Sequence, residues 1–264
     1  MKTIFEMTGH SDLRNYLELC NKFRPLDIEK VFNLTLQSIK YYRGDKSVRA
    51  FMHVNQEMEK KWYDSLEKGE PLYSIYDDDY YVGDIWACWI VYSRGYLKLI
   101  NKYKQIFGNP ESILDLGCGQ GFTTAALKEI FPNSDVFGCN IEETVQFKVA
   151  EEIGIQRNFK VIGPNMVHAR KFDMIFASEF FEHVEKPIDL LVKLINSASP
   201  KILVLANSFS SRSVGHFPVY KVGNKLVENT KIAHEFNNTL RNQGYRRAEV
   251  KFWNNRPAIW LKNK

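Results

Sequence analysis

The sequence lacks the features that mark membrane, secreted and disulfide-rich proteins. No uninterrupted apolar run approaches the roughly 20 residues that a membrane-spanning helix needs. Lys2 and Glu6 bring charge into the N-terminus before the apolar core of a signal peptide could develop. The four cysteines have no CxxC spacing, so neither a zinc site nor a disulfide framework is indicated. We therefore expect a cytoplasmic protein with reduced thiols and no membrane among its partners.

Internal repeats and low-complexity linkers are also lacking. The chain has 264 residues, of which 44% are hydrophobic and 25% are charged. These values are typical of globular proteins and argue against a disordered chain or a coiled coil. This length allows one large domain, or one domain with a substantial appendage.

Positive charge is concentrated at one end of the chain. From Lys201 onward there are twelve Lys or Arg against three Asp or Glu, whereas the first 200 residues carry a net charge of −4. A basic segment of this kind either faces an anionic partner or substrate, or is simply a solvated face. Both interpretations stay open at this point.

Beyond residue 110 the sequence alternates short apolar strands with helices. The predicted strands are Ser112–Leu116, Asp135–Cys139, Phe159–Ile162, Phe172–Ala177 and Lys201–Ala206, and the predicted helices are Phe122–Ile130, Glu142–Glu152, Ile188–Ile195 and His234–Asn242. The alternation predicts an α/β fold with a Rossmann-like, doubly wound, mostly parallel sheet. Arg247–Trp253 and Ala258–Lys262, around the turn Asn254–Pro257, predict a C-terminal antiparallel hairpin that brings the sheet to seven strands.

The first hundred residues predict helices and a concentration of tyrosine. The predicted helices are Asp27–Tyr42, Val48–Lys68 and Ile85–Phe107, and eleven of the thirteen tyrosines precede Asn109. We therefore expect residues 1–108 to form a helical N-terminal cap packed on a sheet domain of residues 109–264.

A glycine-rich turn joins the first predicted strand to its helix. It reads Asp115-Leu116-Gly117-Cys118-Gly119-Gln120-Gly121. Glycine lets a backbone approach a ligand closely, and the helix that follows offers free N–H groups. A dinucleotide fold expects GxGxxG, and here the third glycine comes one residue early. The acidic residue before the glycines resembles motif I of the class I S-adenosylmethionine-dependent methyltransferases.

This resemblance implies a set of cofactor-binding residues. Asp115 would help to bind the methionine end of S-adenosylmethionine, with the backbone of the glycine turn beside it. Asn140 stands where the family usually has a carboxylate that accepts hydrogen bonds from both ribose hydroxyls. An amide oxygen can accept one of these bonds, so binding of the cofactor would be weakened but not excluded. The predicted cofactor-binding residues are Asp115, Gly117, Cys118, Gly119, Gly121, Asn140, Ile141, Asn165 and Ser178, with Ile141 against the adenine and Asn165 in the adenine loop.

Two carboxylates and an imidazole follow the fourth predicted strand. In a helical turn Glu179, Glu182 and His183 would converge on one side, a set that suits Mg²⁺ or another divalent cation. The Glu-x-x-Glu-His pattern resembles methyltransferases of small-RNA termini and of quinone biosynthesis. The RNA branch adds a later histidine as a metal ligand, which His234 would supply, with His216 as the rival. The alternatives are a metal-free pocket role for His183, as a general base, and a structural histidine.

The catalytic residues predicted for methyl transfer are His183, Glu179 and Glu182. Transfer to an alcohol needs alignment of the acceptor and removal of its proton, by a neutral histidine or through a cation. The Pro-Pro-aromatic motif of DNA-base methyltransferases is missing from Ala177-Ser178-Glu179-Phe180, so DNA is not expected as a substrate. The sequence also has no RNA-binding pattern that would favour RNA.

We expect a small polar or anionic acceptor, such as a sugar or a phosphate- or nucleotide-linked intermediate of surface-glycan (polysaccharide) biosynthesis. Tyr76, Tyr80 and His216 are its predicted contacts, and basic side chains of the C-terminal third would receive a phosphate: Arg212, Lys221, Lys225, Arg246 and Arg247. The alternatives are a quinone-type acceptor in an apolar pocket, RNA 2′-O-methylation, and a catalytically silent subunit, which Asn140 suggests.

Overall fold

The structure is a computed structural model that describes residues 2–250 and 256–263. Its centre is a seven-stranded sheet with the order β3-β2-β1-β4-β5-β9-β8. Strands β1 to β5 pair in parallel, whereas β9 runs antiparallel to both of its neighbours. A separate hairpin joins β6 to β7. The strands are β1 (Ser112–Leu116), β2 (Asp135–Cys139), β3 (Lys160–Ile162), β4 (Met174–Ser178), β5 (Ile202–Ala206), β6 (Val219–Val222), β7 (Lys225–Glu228), β8 (Tyr245–Arg247) and β9 (Ala258–Lys262).

The sheet confirms the predicted fold class. All five parallel strands lie within two residues of their predicted bounds, because strands buried on both faces read as short apolar runs. The terminal antiparallel pair is also present, although its first strand, β8, begins at Tyr245, earlier than predicted. Residues 251–255, which hold the rest of that predicted strand and the start of its turn, lie outside the described residues. The β6–β7 hairpin was not predicted.

Ten α-helices surround the sheet in the described part of the chain. They are α1 (His10–Phe23), α2 (Ile28–Tyr42), α3 (Arg49–Glu67), α4 (Asp79–Cys88), α5 (Arg94–Lys102), α6 (Phe122–Ile130), α7 (Val145–Arg157), α8 (Pro164–Val167), α9 (Pro187–Ala198) and α10 (Asn229–Asn242). None of them combines the length and apolar character that crossing a bilayer requires.

The segment predicted as one helix, Ile85–Phe107, has a different construction. It starts earlier, at Asp79, because the Asp78 side chain accepts a hydrogen bond from the Tyr80 amide and caps α4. A π-helical turn, Trp89–Ser93, then joins α4 to α5. Such turns insert one residue per turn and shift the side chains that follow, and they are frequent at functional sites.

Helices α1, α4, α6 and α7 pack on one face of the sheet in one apolar cluster. Tyr16 of α1 stacks on Trp86 of α4 with ring centroids 5.3 Å apart, and both rings contact Phe122 of α6. Helices α9 and α10 cover the other face, where α3 joins the same cluster through Trp62. The N-terminal helices therefore share both cores with the sheet.

The α4–π–α5 segment lies across the carboxyl ends of β1 and β4. Strand order reverses between these two strands, and ligands of open α/β sheets bind outside the carboxyl ends at that point. The packing thus closes the helical segment over the place where a ligand is expected.

Helices α2 and α4 are in close contact, and a substitution at this contact tests the packing of the N-terminal helices. A Cβ atom on Gly83 would lie 2.4 Å from Thr35 Oγ1, and Thr35 is fully buried. We expect Gly83→Ala to lower the free energy of unfolding by about 1 kcal/mol, since overpacking costs about 1–3 kcal/mol and the better helix propensity of alanine returns about 1. In a Thr35→Ala background the same change should become neutral or stabilising. Urea denaturation of the four proteins measures this, and an equal cost in both backgrounds would contradict it.

Candidate active site

A cavity of about 420 Å³ lies between the α4–π–α5 segment and the carboxyl ends of β1 and β4. The N-terminal helices contribute tyrosines and one carboxyl group to its wall. The sheet domain contributes the glycine turn, the end of β4 and part of the loop after β5. The residues discussed below that line it are Tyr42, Tyr80, Asp84, Cys88, Tyr92, Tyr96, Gly117, Cys118, Gly119, Phe122, Thr123, Ser178, Glu179, His183, Ser208, His216 and Arg256.

The glycine turn exposes its backbone to this cavity. Gly117, Gly119 and Gly121 have φ angles of +77°, +54° and +88°, a region that favours glycine. The Gly117 and Cys118 amides both donate to the Cys139 carbonyl, which ties the turn to β2. A Cβ atom on Gly117 would lie 2.3 Å from the ring of Phe180. Any larger residue would therefore both strain the turn and displace the ring beside it.

Asp115 is buried directly behind the turn. It is 1% exposed, and its carboxylate accepts hydrogen bonds of 2.6 Å from the hydroxyls of Thr123 and Thr124. Burial raises the pKa of Asp115 to about 6, and the two threonine bonds hold it from rising further. Because Thr123 lines the cavity, the carboxylate lies just behind the cavity wall.

The other predicted cofactor residues lie at the same edge of the sheet. Asn140 follows β2, and its amide donates to the Gly119 carbonyl at 2.8 Å. Ile141 beside it is 54% exposed, and Asn165 is exposed in α8. Ser178 lines the cavity, and its buried Oγ has no hydrogen-bond partner. A buried hydroxyl without a partner is costly, so this atom fits a ligand that completes its bonding.

The predicted Glu179–His183 cluster has a different backbone from the one expected. Glu179 adopts φ +50°, and residues Phe181–His183 form a 3₁₀ turn instead of an α-helical one. Glu179 and His183 face the cavity. Glu182 is fully buried, and its Oε1 accepts from the Ser208 amide at 2.6 Å. Burial raises the pKa of both glutamates, and the neighbouring Glu179 raises that of Glu182 further.

His183 is a neutral imidazole in the cavity wall. Burial lowers its pKa to about 3, with a further contribution from the neighbouring His216, whose ring centroid is 4.7 Å away. The Tyr76 hydroxyl lies 3.0 Å from His183 Nδ1. Of the predicted acceptor contacts, Tyr80 and His216 line the cavity. Tyr76 is not among the lining residues, but its hydroxyl contacts His183, which is.

The predicted metal ligands do not assemble. Across residues 2–250 and 256–263, no group of three or more His, Cys, Asp or Glu side chains could hold a metal ion. Glu182 is turned inward onto Ser208, and His234 is exposed on α10. These residues therefore do not fit the divalent cation that the motif suggested, and no step below uses one.

Several cavity residues were missed by sequence reasoning. Asp84 accepts from the hydroxyls of Tyr42 at 2.7 Å and Ser38 at 3.0 Å, and burial raises its pKa. Asp84, Cys88, Tyr92 and Tyr96 all line the cavity, although Tyr92 reads as core packing in the sequence. Their regular spacing of four residues, polar throughout on a helix otherwise rich in apolar residues, is the signal that could have found them.

Comparisons with known proteins identify the family. A family model described as "Methyltransferase domain" matches residues 91–249, more than half of the chain. This chain belongs to the class I S-adenosylmethionine-dependent methyltransferases. The match begins inside the segment that we assigned to the cap.

Curated relatives match only part of this methyltransferase. A malonyl-[acyl-carrier protein] O-methyltransferase 2 of Ilyobacter polytropus is 27% identical over 101 residues, which are 37% of this chain and 39% of that protein. A malonyl-[acyl-carrier protein] O-methyltransferase of Halalkalibacterium halodurans is 25% identical over 118 residues, 42% of this chain and 44% of that protein. The matches thus span about two fifths of the length of these relatives.

A solved structure supports the fold. That of a candidate O-methyltransferase from Nostoc punctiforme has a TM-score of 0.50 and 14% identity, covering 78% of this chain and 68% of that one. At this identity the likeness concerns the fold alone.

S-adenosylmethionine, the cofactor of the family, fits the residues of the site. The left-handed glycine turn, the Asp115 carboxylate behind Thr123 and the unpartnered Ser178 hydroxyl offer it a backbone cradle, a negative charge and a free hydrogen-bonding atom. The resemblance implies Asp115 and the glycine turn for the methionine end, and Ser178 as a further cofactor-binding residue.

The raised pKa of Asp115 predicts pH-dependent cofactor binding. If the carboxylate attracts the methionine ammonium, its protonation below about pH 6 should weaken affinity about tenfold between pH 8 and pH 5. Asp115→Asn should bind S-adenosylmethionine at least tenfold more weakly at pH 8 and lose this pH dependence. Isothermal titration calorimetry measures both, with Asp135→Asn, an exposed site on β2, as the control.

The same group predicts an opposite effect on stability. A folded-state pKa above the unfolded value means that the ionised group costs stability, a cost that appears as pH rises through about 6. Asp115→Asn should therefore raise the Tm of the free protein at pH 8 and leave it nearly unchanged at pH 4. A lower Tm at pH 8, or unchanged cofactor affinity, would contradict this account of Asp115.

Proposed function

We propose that this methyltransferase O-methylates a hydroxyl of a small polyhydroxylated acceptor, a sugar of the kind used in surface-glycan biosynthesis. One observation carries the proposal. A single cavity joins the glycine turn, the neutral imidazole of His183, and a wall of tyrosine hydroxyls and carboxyl groups. In this proposal residues 1–108 form the substrate-selecting cap, and the enzyme acts in the cytoplasm on a small molecule, not on DNA or a membrane.

His183 is the proposed general base. S-adenosylmethionine supplies an electrophilic methyl group, and an alcohol that attacks it must lose a proton. His183 Nδ1 lies 3.0 Å from the Tyr76 hydroxyl and beside Gly215. In this proposal Nδ1 carries the ring proton, and Nε2 is left to accept the proton of the acceptor. The lowered pKa keeps this nitrogen unprotonated throughout the physiological pH range.

Two carboxyl groups of the cavity lining would orient the acceptor. Asp84 from the cap and Glu179 from the end of β4 both present oxygens that hydroxyls can donate to. This lining argues against a quinone, for which we expect an apolar pocket. It also argues against a phosphate bound inside the cavity, because Arg256 is the one lysine or arginine among the described lining residues.

A phosphate or nucleotide on the acceptor would therefore extend outside the cavity. The basic residues predicted to receive it lie elsewhere: Arg212 stacks on Tyr63 and Lys221 pairs with Glu185. RNA is disfavoured because the metal ligands that the RNA branch would use do not assemble in the described part of the chain.

Methylation of a carboxylate is a second candidate. It is favoured by Arg256, which lines the cavity and donates to Ser208 at 2.6 Å, and by the names of the malonyl-[acyl-carrier protein] relatives. A carboxylate acceptor is already deprotonated, so it needs a cation for orientation and no general base. This difference separates the two candidates experimentally.

A variant without the proposed general base tests the proposal most directly. We expect His183→Ala to lower kcat for alcohol acceptors at least 100-fold while the Kd for S-adenosylmethionine changes less than twofold. Transfer of radiolabelled methyl to a panel of sugars, nucleotide sugars and small carboxylic acids measures kcat, and calorimetry measures Kd. His53→Ala, at an exposed histidine of α3, is the control. Full turnover of a sugar by His183→Ala would overturn the proposal, and full turnover of a carboxylic acid would favour the second candidate.

Asp84 should act on the acceptor alone. We expect Asp84→Asn to lower kcat/KM for the acceptor at least tenfold, because the carboxylate that accepts its hydroxyl is lost, with little change in affinity for S-adenosylmethionine. Steady-state kinetics with the best acceptor of the panel tests this, with Asp64→Asn on α3 as the control. An unchanged kcat/KM would remove Asp84 from the acceptor site.

A further inference from the structure

A chain of amide hydrogen bonds connects the glycine turn to the cap. Asn140 Nδ2 donates to the Gly119 carbonyl at 2.8 Å and to Gln146 Oε1 at 3.3 Å. Gln146 Nε2 in turn donates to the Tyr76 carbonyl at 2.8 Å. Tyr76 belongs to the cap segment Tyr73–Asp77, a 3₁₀ turn between α3 and α4, and its hydroxyl lies 3.0 Å from His183 Nδ1.

The partners at each end fix the orientation of both amides. Gly119 and Tyr76 offer carbonyl oxygens, which only accept, and Ile141 offers an N–H group, which only donates to Asn140 Oδ1, at 2.8 Å. The nitrogen of Asn140 must therefore face Gly119, and the nitrogen of Gln146 must face Tyr76. The remaining oxygen of Gln146 then faces Asn140, so every link has a donor opposite an acceptor.

A carboxylate at residue 140 could not make these bonds. It has no proton to donate, and it would place a negative oxygen against the Gly119 carbonyl. Both amide hydrogens of Asn140 are used, and one of the two lone pairs on its oxygen is already occupied by Ile141. The departure from the acidic residue of the family thus corresponds to a specific use of the amide.

We propose that Asn140 and Gln146 are positioning residues, which form an amide relay that holds the cap segment Tyr73–Asp77 against the cofactor turn. Through Tyr76 the relay also orients His183, a role that rests on the proposed function. The relay links the two halves of the active site: the turn that binds the cofactor and the imidazole that faces the acceptor. It adds a link to the cap to the two backbone bonds that tie the cofactor turn to β2.

Two isosteric variants break different links. Asn140→Asp removes both donors of residue 140, whereas Gln146→Glu removes the link to Tyr76 and keeps the acceptor for Asn140. Gln156→Glu on the same helix and Asn133→Asp, both at exposed residues, are matched controls. Hydrogen exchange of the free protein reports on the segment directly, through the Ile75 and Asp78 amides, which bond the Leu72 and Ile75 carbonyls.

We expect Asn140→Asp and Gln146→Glu each to accelerate exchange of these two amides at least fivefold, and the double variant no more than the faster single one. Asn140→Asp should also weaken binding of S-adenosylmethionine at least threefold. With an active acceptor, Gln146→Glu should lower kcat and leave the acceptor KM within twofold, whereas the controls should match the parent in every measurement. Exchange and cofactor binding need no acceptor, so they stand even if the proposed acceptor is wrong.

The alternative is that Asn140 is merely a weaker ribose ligand. Asn140→Asp would then bind S-adenosylmethionine more tightly, and exchange at Ile75 and Asp78 would stay unchanged in both variants. Either result would overturn the relay. If Asn140→Asp fails to fold, Gln146→Met, which keeps the side-chain length and removes only the amide, takes its place: unchanged exchange in that variant would overturn the relay, and faster exchange would support it.

Discussion

Packing of three aromatic rings between the N-terminal helices and the sheet domain supports one wall of the candidate active site. Tyr16, Trp86 and Phe122 lie in mutual contact at centroid distances of 5.2–5.3 Å. Phe122 is the first residue of α6 and directly follows the glycine turn, and it also lines the cavity. The apolar core that joins the N-terminal helices to the sheet domain is therefore continuous with the wall of the cavity. A displacement of α4 would change the shape of both.

Enclosure by this packing sets the protonation states of the cavity. Removing carboxyl groups from water raises their pKa, as it does for Asp84, Asp115, Glu179 and Glu182, and removing imidazole from water lowers its pKa, as for His183. Each shift favours the neutral form. A cavity that disfavours charge suits a reaction in which the sulfonium charge disappears, because the site does not need to stabilise a large new charge.

The fold was largely predictable from sequence, and the acceptor site was not. Buried parallel strands are short apolar runs, and the glycine turn has a defined position between a strand and a helix, so β1, β2 and α6 were found at their observed bounds. By contrast, the π-helical turn depends on tertiary packing of Trp89 and Ser93, which no local pattern records. Helix α1 was missed as well. Its buried residues Leu13, Tyr16, Leu17 and Cys20 do recur at the three- and four-residue spacing of one helical face, which packs against α2, α4 and α7, so this periodicity was the signal overlooked.

The Glu-x-x-Glu-His motif shows that a sequence motif does not by itself determine the geometry of a site. Helical spacing would bring Glu179, Glu182 and His183 to one side, and the prediction of a metal site depended on that geometry. The left-handed φ of Glu179 instead turns the chain at the end of β4, and the tight turn that follows directs Glu182 into the core and His183 into the cavity. Glu179 and His183 therefore line the cavity, whereas Glu182 accepts a hydrogen bond from the Ser208 amide in the loop after β5. Helical spacing did not predict this arrangement, because the left-handed angle at Glu179 and the 3₁₀ turn replace the α-helical turn on which the spacing argument relied.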